Sequence, residues 1–357
     1  MNIDAALSSW EGESSMIRHD RQTGAWFVIA VHSTRLGPAA GGTRAMVYAT
    51  PGEAVADATR LAGAMTAKMA VAGLPMGGGK SVIGLPAPRA EIDDVTWRRI
   101  LTLHAQNLAK LHGDYWTGPD VGTNSSDMDT LRQMTGYVFG RSVEAGGPGS
   151  SAEATALGVF EAMKAAAVEA GLGQISGRRV LVQGLGAVGA RVAQLASRAG
   201  ARLLVADVDP ARCVAAQAQG ARLVKTDEVT RTACEVLAPC ATGGLIDTEI
   251  ARTIPCLVIA GAANNLLRGG KTADVLAQRG IVFAPDFVAN AGGAIHLVGR
   301  EVLGWTPDEV LARTMQIGQT LREVFDNARK RGVSTERAAQ DLADRQLGAA
   351  SGSADGN

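Results

Sequence analysis

VLVQGLGAVGARVAQLASRAGARLLVAD, residues 180–207, is the stretch whose reading decides the fold. An apolar run leads into glycines at 184, 186 and 189, a proline-free helical stretch follows, and a second apolar run ends in Asp207. With 44 glycines in the chain, the G-x-G-x-x-G spacing alone says little; the flanking strands and helix carry the reading. Gly184 permits the tight turn, Gly186 lets the backbone approach a pyrophosphate, and Gly189 allows helix and strand to pack closely, with Ala187 and Val188 completing the loop. The diphosphate then lies on the positive end of the helix. Asp207 follows Gly189 by 18 residues, near the roughly 20 expected of an acid that accepts from the adenosine ribose hydroxyls. A carboxylate there repels a 2′-phosphate, so NAD is the expected cofactor, with Arg202 and Arg212 near enough in sequence to soften the preference.

Working outward, RRVLVQ, ARLLVAD, CEVLAPC, CLVIAGA and GIVFAPD are apolar runs separated by segments of crossover length. Near-continuous apolar strands alternating with helices predict an α/β fold with a parallel sheet covered on both faces. Upstream, EAGGPGSSAEAT (144–155) reads as the domain boundary, with Ser150 or Ser151 placed to cap the following helix. The expected division is an N-terminal α/β domain over 1–149, a Rossmann domain over 150–330, and a C-terminal helix over 331–357 with a disordered tail, AASGSADGN. In the first domain WFVIAVHS (26–33) reads as a strand, LGPAAGGTR as a glycine-rich connection, residues 52–72 and 97–113 as helices, the second stopped by Gly113, and DYWTGPDVGTNSSDMDTL as a loop with Asp120 near its centre. The helical stretch from residue 308 is expected to pack back on the first domain.

Bulk properties narrow the function. In 357 residues, Lys+Arg and Asp+Glu are both 35, so the formal net charge is zero and the electrostatic case for nucleic acid or a membrane surface is missing. Cys213, Cys234, Cys240 and Cys256 form no CxxC pair and no metal-ligand spacing with histidine, so reduced thiols and no metal are expected. No stretch approaches the ~20 apolar residues of a membrane span. With a polar, acidic N-terminus, MNIDAALSSWEGESS, the chain reads as soluble and cytoplasmic.

KMAVAGLPMGGGKS (68–81) imitates a phosphate loop, but the position that must be glycine is Leu74, and Gly73 is one residue too far. Lys80 stands where a glycine turn enters a short strand, KSVIGLP, in an uncharged stretch of apolar residues and glycine, which predicts partial desolvation. Burial and a second ammonium both depress a lysine pKa toward a base working near neutrality. Spacing alone does not bring Lys68 to Lys80.

LGPAAGGTR, KMAVAGLPMGGGKSVI, YWTGPDVGTN, GGPGSSAEAT, QGLGAVG, GAANN and DFVANAGGAIHL occur in this order. Over about residues 10–330 the chain thereby resembles the amino acid dehydrogenases acting on glutamate, leucine, valine and phenylalanine, most nearly the phenylalanine-specific members. The resemblance implies two domains with the active site in the cleft between them, and a homo-oligomer. It implies that Lys68 binds the substrate carboxylate, that Lys80 activates the water attacking the imine, and that Asp120 exchanges protons with the amino group. By the same resemblance Asn264 touches substrate and nicotinamide, Ser151, Thr155 and Arg44 contact the cofactor, and Gly42 belongs to the substrate site.

The side-chain pocket positions the resemblance implies are Ala40, Gly118, Ala294 and Leu297. The first three are small and none is charged, which favours L-phenylalanine over leucine and argues against glutamate; each buried CH₂ that is well filled contributes ~0.8 kcal/mol. If larger neighbours fill the space, a leucine or valine enzyme is the alternative. A P-loop protein built on GGGKS and a silent Rossmann subunit are the readings from other classes. The broken spacing counts against the first, and Lys68, Lys80 and Asp120 together count against the second.

Overall fold

The first sheet has the strand order β1–β2–β4–β3–β5, with β1 Ser14–His19, β2 Trp26–Ser33, β3 Ala39–Met46, β4 Gly77–Gly84 and β5 Tyr115–Pro119. This computed structural model describes Ser8 and residues 10–354 of the chain. Strand period two sends alternate side chains to opposite faces. Phe27, Ile29 and Ile83 pack under helix α2 (Asp94–Ala109) with Trp97, Ile100, Leu101 and Leu108. Val28, Ala30 and Val82 face Ala54, Val55, Ala58 and Ala62 of helix α1 (Pro51–Val71). Thr50 caps α1 by accepting from the Glu53 N–H, with Pro51 in its first turn, where a missing N–H costs nothing.

Two glycine tracts differ from the sequence expectation. LGPAAGGTR, expected as a connection, supplies most of β3, and the glycines before Lys80, expected as a turn, open β4. Glycine is a poor strand former in isolation, so the reason is contact. A Cβ on Gly77 would lie 1.8 Å from the Ser33 carbonyl oxygen, one on Gly78 2.0 Å from the Thr66 nitrogen of α1, and one on Gly79 2.6 Å from the Tyr115 ring. Gly41 of β3 is pressed equally closely, 1.9 Å from the Gly79 carbonyl oxygen. Every residue of β4 is buried.

Two further expectations change here. The helix ends at Ala109, so Gly113 lies beyond its stop, and the stretch around Asp120 is no plain loop: β5 precedes it and helix α3 (Ser125–Arg132) follows.

The second sheet is six-stranded and parallel, in the order β11–β10–β9–β6–β7–β8, from β6 Arg179–Gln183, β7 Arg202–Ala206, β8 Arg222–Leu223, β9 Val236–Pro239, β10 Val258–Ile259 and β11 Val282–Phe283. The doubly wound parallel sheet expected from the apolar runs is present. Strand order reverses beside β6, the topological switch point where open α/β sheets take ligands. Helix α4 (Ala152–Glu169) precedes β6, α5 (Gly189–Arg198) joins β6 to β7, and α6 (Pro210–Ala218) follows β7.

The chain divides into one unit holding residues up to Ser150, Leu297–Trp305 and residues from Ala343, and another holding Ser151–His296 and Thr306–Leu342. A contiguous 150–330 domain is therefore interrupted. Glu301 explains the interruption: its carboxylate accepts from the Arg141 side chain at 2.7 Å and from the backbone N–H groups of Gly140 and Arg141, tying its segment to the first unit. Of the helical stretch expected to return to the first unit, the helices over 307–331 belong to the second, and only the part from Ala343 joins the first. The terminal helix, Thr335–Ala354, runs into the tail expected to be disordered; residues 355–357 of that tail lie outside the described residues. Ser151 stands at the α4 N-cap, but its side chain does not cap. Among the described residues no helix is long and apolar enough to cross a membrane.

The start of the terminal helix carries a titratable strain. Burial, with the Asp286 carboxylate adding to it, pushes Glu336 up to about 7 from an ordinary 4.5. The folded chain holds this proton more tightly than the unfolded one, so the contribution is fully present below about pH 4.5 and is lost as pH rises through about 7. Glu336→Gln is expected to raise the Tm at pH 8, by about 2–4 °C per kcal/mol gained. The gain should vanish near pH 4 in parallel thermal melts.

Candidate active site

Lys80, only 5 % exposed on β4, reaches the Asp120 Oδ2 with its Nζ at 2.6 Å. Asp120 follows β5 directly. Its N–H donates to the Thr123 hydroxyl at 3.0 Å, and that hydroxyl donates to the Thr43 carbonyl of β3 at 2.7 Å, so the turn is tied to the neighbouring strand. Gly42 lies beneath the pair: a Cβ there would come 2.8 Å from the Asp120 Cβ and 3.4 Å from the Lys80 Nζ. Its glycine is required by what sits above it.

Arg44 completes the cluster. Its Nε donates to the same Asp120 Oδ2 at 3.0 Å, and its Nη1 to the Asp57 Oδ2 at 2.9 Å. Asp57, on α1, also accepts from the Tyr48 hydroxyl at 2.8 Å and from Arg60 at 2.6 Å. Burial pulls the Lys80 ammonium below the ordinary lysine value and Arg44 works in the same direction, against Asp120. Burial pushes the Asp120 carboxyl up, but Lys80 and Arg44 outweigh it and hold it below its usual range. The sequence reading gives the second cation to Lys68 and sends Arg44 to the cofactor. Arg44 is a cation that shares Asp120 with Lys80, and Lys68 stands partly buried in the last turn of α1.

On the opposite face of the same strands lies a buried hydroxyl cluster. Thr43 Oγ1 is 2.7 Å from both Ser81 Oγ and Thr117 Oγ1 and 3.1 Å from His104 Nε2. Burial pushes His104 down to about 3, so its ring is neutral. Thr43, Ser81 and Thr117 are sequence neighbours of Gly42, Lys80 and Gly118, so these bonds pin the three strands that carry the site.

Of the four pocket positions, Ala40, Gly118 and Leu297 belong to the first unit and Ala294 to the second. The space that a small residue at 118 leaves is already filled: a Cβ on Gly118 would lie 2.3 Å from the Phe139 ring. Leu297 comes 3.6 Å from the Cβ position of Gly140, the residue after Phe139. Ala40 is fully buried in the sheet.

In the second unit the three loop glycines have separate reasons. Gly184 turns at φ +88° beside Ala241, the Cβ position of Gly186 has only the Arg212 guanidinium within 4 Å, at 3.9 Å, and a Cβ on Gly189 would lie 1.9 Å from the Gly184 carbonyl oxygen. The loop between Gly184 and Gly189 is thus open to a ligand at Gly186 and closed behind it, a cradle that fits a dinucleotide diphosphate. Ala187 and Val188 lead from it into α5. Asp207 accepts from the N–H groups of Leu185 and Asp209; burial pushes its carboxyl up, but these donors and then Arg212 hold it below its usual range. Arg212, half exposed, spans Asp207 and Asp209 at 3.8 and 3.2 Å.

Thr155 donates from its hydroxyl to the Ser151 carbonyl at 2.9 Å. A Cβ on Gly293, next to Ala294, would lie 2.8 Å from the Thr155 hydroxyl and 3.6 Å from that of Ser151. Asn264 is exposed, and its Oδ1 accepts from Asn290 Nδ2 at 2.8 Å. The sequence reading misses Asn290, Asp57, Tyr48 and Phe139. Only Asp57 leaves a trace: it precedes Lys68 by 11 residues, three helical turns, on one face of α1. Burial pushes the thiols of Cys234, Cys240 and Cys256 up to about 12, which leaves them inert.

Comparison with known proteins agrees with both halves of this geometry. Residues 17–137 match the family described as Glu/Leu/Phe/Val dehydrogenase, dimerisation domain, and residues 146–221 and 206–351 match Glutamate/Leucine/Phenylalanine/Valine dehydrogenase. A leucine dehydrogenase from Geobacillus stearothermophilus is 37% identical over 351 residues, covering 97% of this chain and 94% of that protein. A phenylalanine dehydrogenase from Caldalkalibacillus thermarum is 35% identical over 344 residues, 94% of this chain and 91% of its own length. The crystal structure of L-tryptophan dehydrogenase from Nostoc punctiforme superimposes with a TM-score of 0.83 at 32% identity, over 98% of this chain and 99% of that one. With family matches across both units and relatives of this likeness along almost the whole length, the chain belongs to the Glu/Leu/Phe/Val family of amino acid dehydrogenases.

Proposed function

We propose that this chain catalyses the NAD-dependent, reversible oxidative deamination of a bulky apolar L-amino acid, L-phenylalanine foremost, to its 2-oxo acid and ammonia. The observation that carries the reading is the buried Lys80 ammonium set against Asp120 over Gly42. Burial disfavours the charged form of a lysine and so moves it toward a base that can work nearer neutral pH. Lys68 holds the substrate carboxylate as a fixed cation and orients Cα, an effect that can be large. Lys80 takes a proton from the water that attacks the imine carbon. Asp120 exchanges protons with the amino nitrogen and the leaving ammonia.

The nicotinamide, when bound, supplies the hydride acceptor for the Cα hydrogen. Gly184, Gly186, Ala187, Val188 and Gly189 cradle its diphosphate and Asp207 takes the adenosine ribose. Ser151, Thr155 and Asn264 hold the nicotinamide end, and Asn264, oriented by Asn290, also donates to the substrate. Ala40, Gly118, Ala294 and Leu297 belong to the side-chain pocket, whose neutral lining suits no charged side chain. The reading extends to a cytoplasmic homo-oligomer, supported by the match of the first unit to a family named for dimerisation.

Leucine is the second reading, and Phe139 favours it. Its ring takes the volume that Gly118 leaves, and a pocket narrowed in this way fits a branched aliphatic chain. The kcat/KM values for phenylalanine, tryptophan, leucine, valine and glutamate, followed by NADH formation, decide between them. Phenylalanine is expected to lead and glutamate to be turned over least; a leucine preference transfers the assignment to the second reading.

Lys80→Ala should fold, bind NADH as the wild type does, and lose turnover by ~10²–10⁴-fold. Retention of more than about a tenth of kcat removes Lys80 as the base. NAD should be preferred to NADP, and Asp207→Ser should narrow that ratio while Arg212 remains to meet a 2′-phosphate. Equal narrowing in an Arg212→Ala control would assign the selectivity elsewhere.

A further inference from the structure

The cluster around Lys80 contains more than a base and an acid. A buried ammonium–carboxylate pair has two ways to shed its charge: the lysine can lose its proton to solvent or substrate, or hand it to the carboxylate and leave both groups neutral. The second outcome would disable Lys80 and Asp120 for separate tasks. Arg44 blocks it by position. Its guanidinium, always charged, lies on the same Asp120 Oδ2 that receives Lys80, 3.0 Å away. A proton on that oxygen would face Arg44 at hydrogen-bond distance.

Arg44 is itself held from behind. Asp57 accepts from Arg44, Tyr48 and Arg60, three donors on one carboxylate, and its anchoring helix α1 packs against the strand that bears Lys80. Both carboxylates that grip Arg44 lie in the first unit, and its side chain is only 19% exposed. Such a clamp suits a fixed charge.

We propose that Arg44, clamped by Asp57 and Tyr48, is a positioning residue that fixes Asp120 as a carboxylate against Lys80, so that the lysine proton does not pass to Asp120 and the two groups keep separate tasks in the deamination. The inference rests on the proposed function. It adds Asp57 and Tyr48 to the site and gives Arg44 work other than contact with the cofactor. The charged and titratable groups on the elements around Lys80 are Arg44 and Tyr48 on and beyond β3, Glu53, Asp57, Arg60 and Lys68 on α1, His32 on β2, Tyr115 on β5 and Asp120 after it. Among them Arg44 lowers the proton affinity of Lys80, whereas Asp57 and Asp120 raise it.

The two halves of the clamp therefore act on Lys80 with opposite signs, which a merely structural role would not produce. The test is the pH dependence of kcat/KM for the preferred amino acid at saturating NAD, in wild type, Arg44→Met, Arg44→Lys, Asp57→Asn and Tyr48→Phe. NADH fluorescence titrations run alongside. Arg44→Met is expected to lower kcat/KM at neutral pH at least about tenfold and to move the acidic limb to higher pH. Asp57→Asn should move that limb to lower pH, and Arg44→Lys should return it toward the wild-type position. NADH affinity should stay within about twofold throughout, a change of under half a kcal/mol.

Limbs that move the same way in Arg44→Met and Asp57→Asn, or do not move, overturn the inference. So does an Arg44→Met variant whose NADH affinity falls as far as its kcat/KM, because that is the signature of a cofactor contact. If Arg44→Met does not fold, Asp57→Asn and Tyr48→Phe report on the same limb, and an unmoved limb in both overturns it. A wild type inert toward every amino acid overturns the proposed function and the inference with it. An active wild type with unmoved variants overturns the inference alone.

Discussion

The desolvation of one ammonium organises the first half of the molecule. Lys80 is charged in water and nearly enclosed here, and an enclosed charge is tolerated only with a partner in hydrogen-bond contact. Asp120 is that partner at 2.6 Å. Meeting that need requires Gly42 beneath the pair, since a Cβ there would crowd the Asp120 side chain. It also requires Asp120 to be carried at the end of β5, tied through Thr123 to β3. The buried Thr43–Ser81–Thr117 hydroxyls on the far face then fix the register of the same three strands. Sheet order, glycine placement and hydroxyl cluster all serve the geometry of one ion pair.

The same constraint explains why the glycines are where they are. In both units close approach, more than flexibility, selects glycine: Gly77, Gly78 and Gly79 against β2, α1 and Tyr115, and Gly189 against the Gly184 carbonyl. Gly184 is the exception, because its φ of +88° is the left-handed turn itself. A strand made of glycines brings α1 down onto β4, which places Asp57 within reach of Arg44 and thereby completes the charge balance around Asp120.

How far all this is legible in the amino-acid sequence depends on the range of the interaction. The Rossmann half is local: strand, glycine loop, helix and acid lie within 28 residues, and periodicity suffices to read them. The desolvation of Lys80 is also local, because its flanks are apolar. The glycines of β3 and β4 mislead, since glycine-rich segments read as turns unless their contacts are known, and those contacts come from Ser33, Thr66 and Tyr115. The return of Leu297–Trp305 to the first unit depends on Glu301 meeting Arg141 across 160 residues. Arg44 is visible as a residue, but Asp57 and Tyr48 give it meaning only in three dimensions.

Pocket volume is the sharpest example of that limit. Small residues at Ala40 and Gly118 suggest room for a ring, yet volume belongs to a neighbourhood and not to a position. The hydrogen of Gly118 faces the edge of Phe139, so the missing side chain is replaced by one from another segment. A ring donated by a neighbour is a wall whose place depends on how its own segment is anchored. Phe139 is followed at once by Gly140 and Arg141, both bound by the Glu301 carboxylate. The place of this ring beside Gly118 is therefore set partly by the Arg141–Glu301 ion pair. On the proposed function, loosening Arg141–Glu301 is expected to change specificity before it changes catalysis, because Lys80 and Asp120 are held by β3, β4 and β5 and do not depend on that carboxylate.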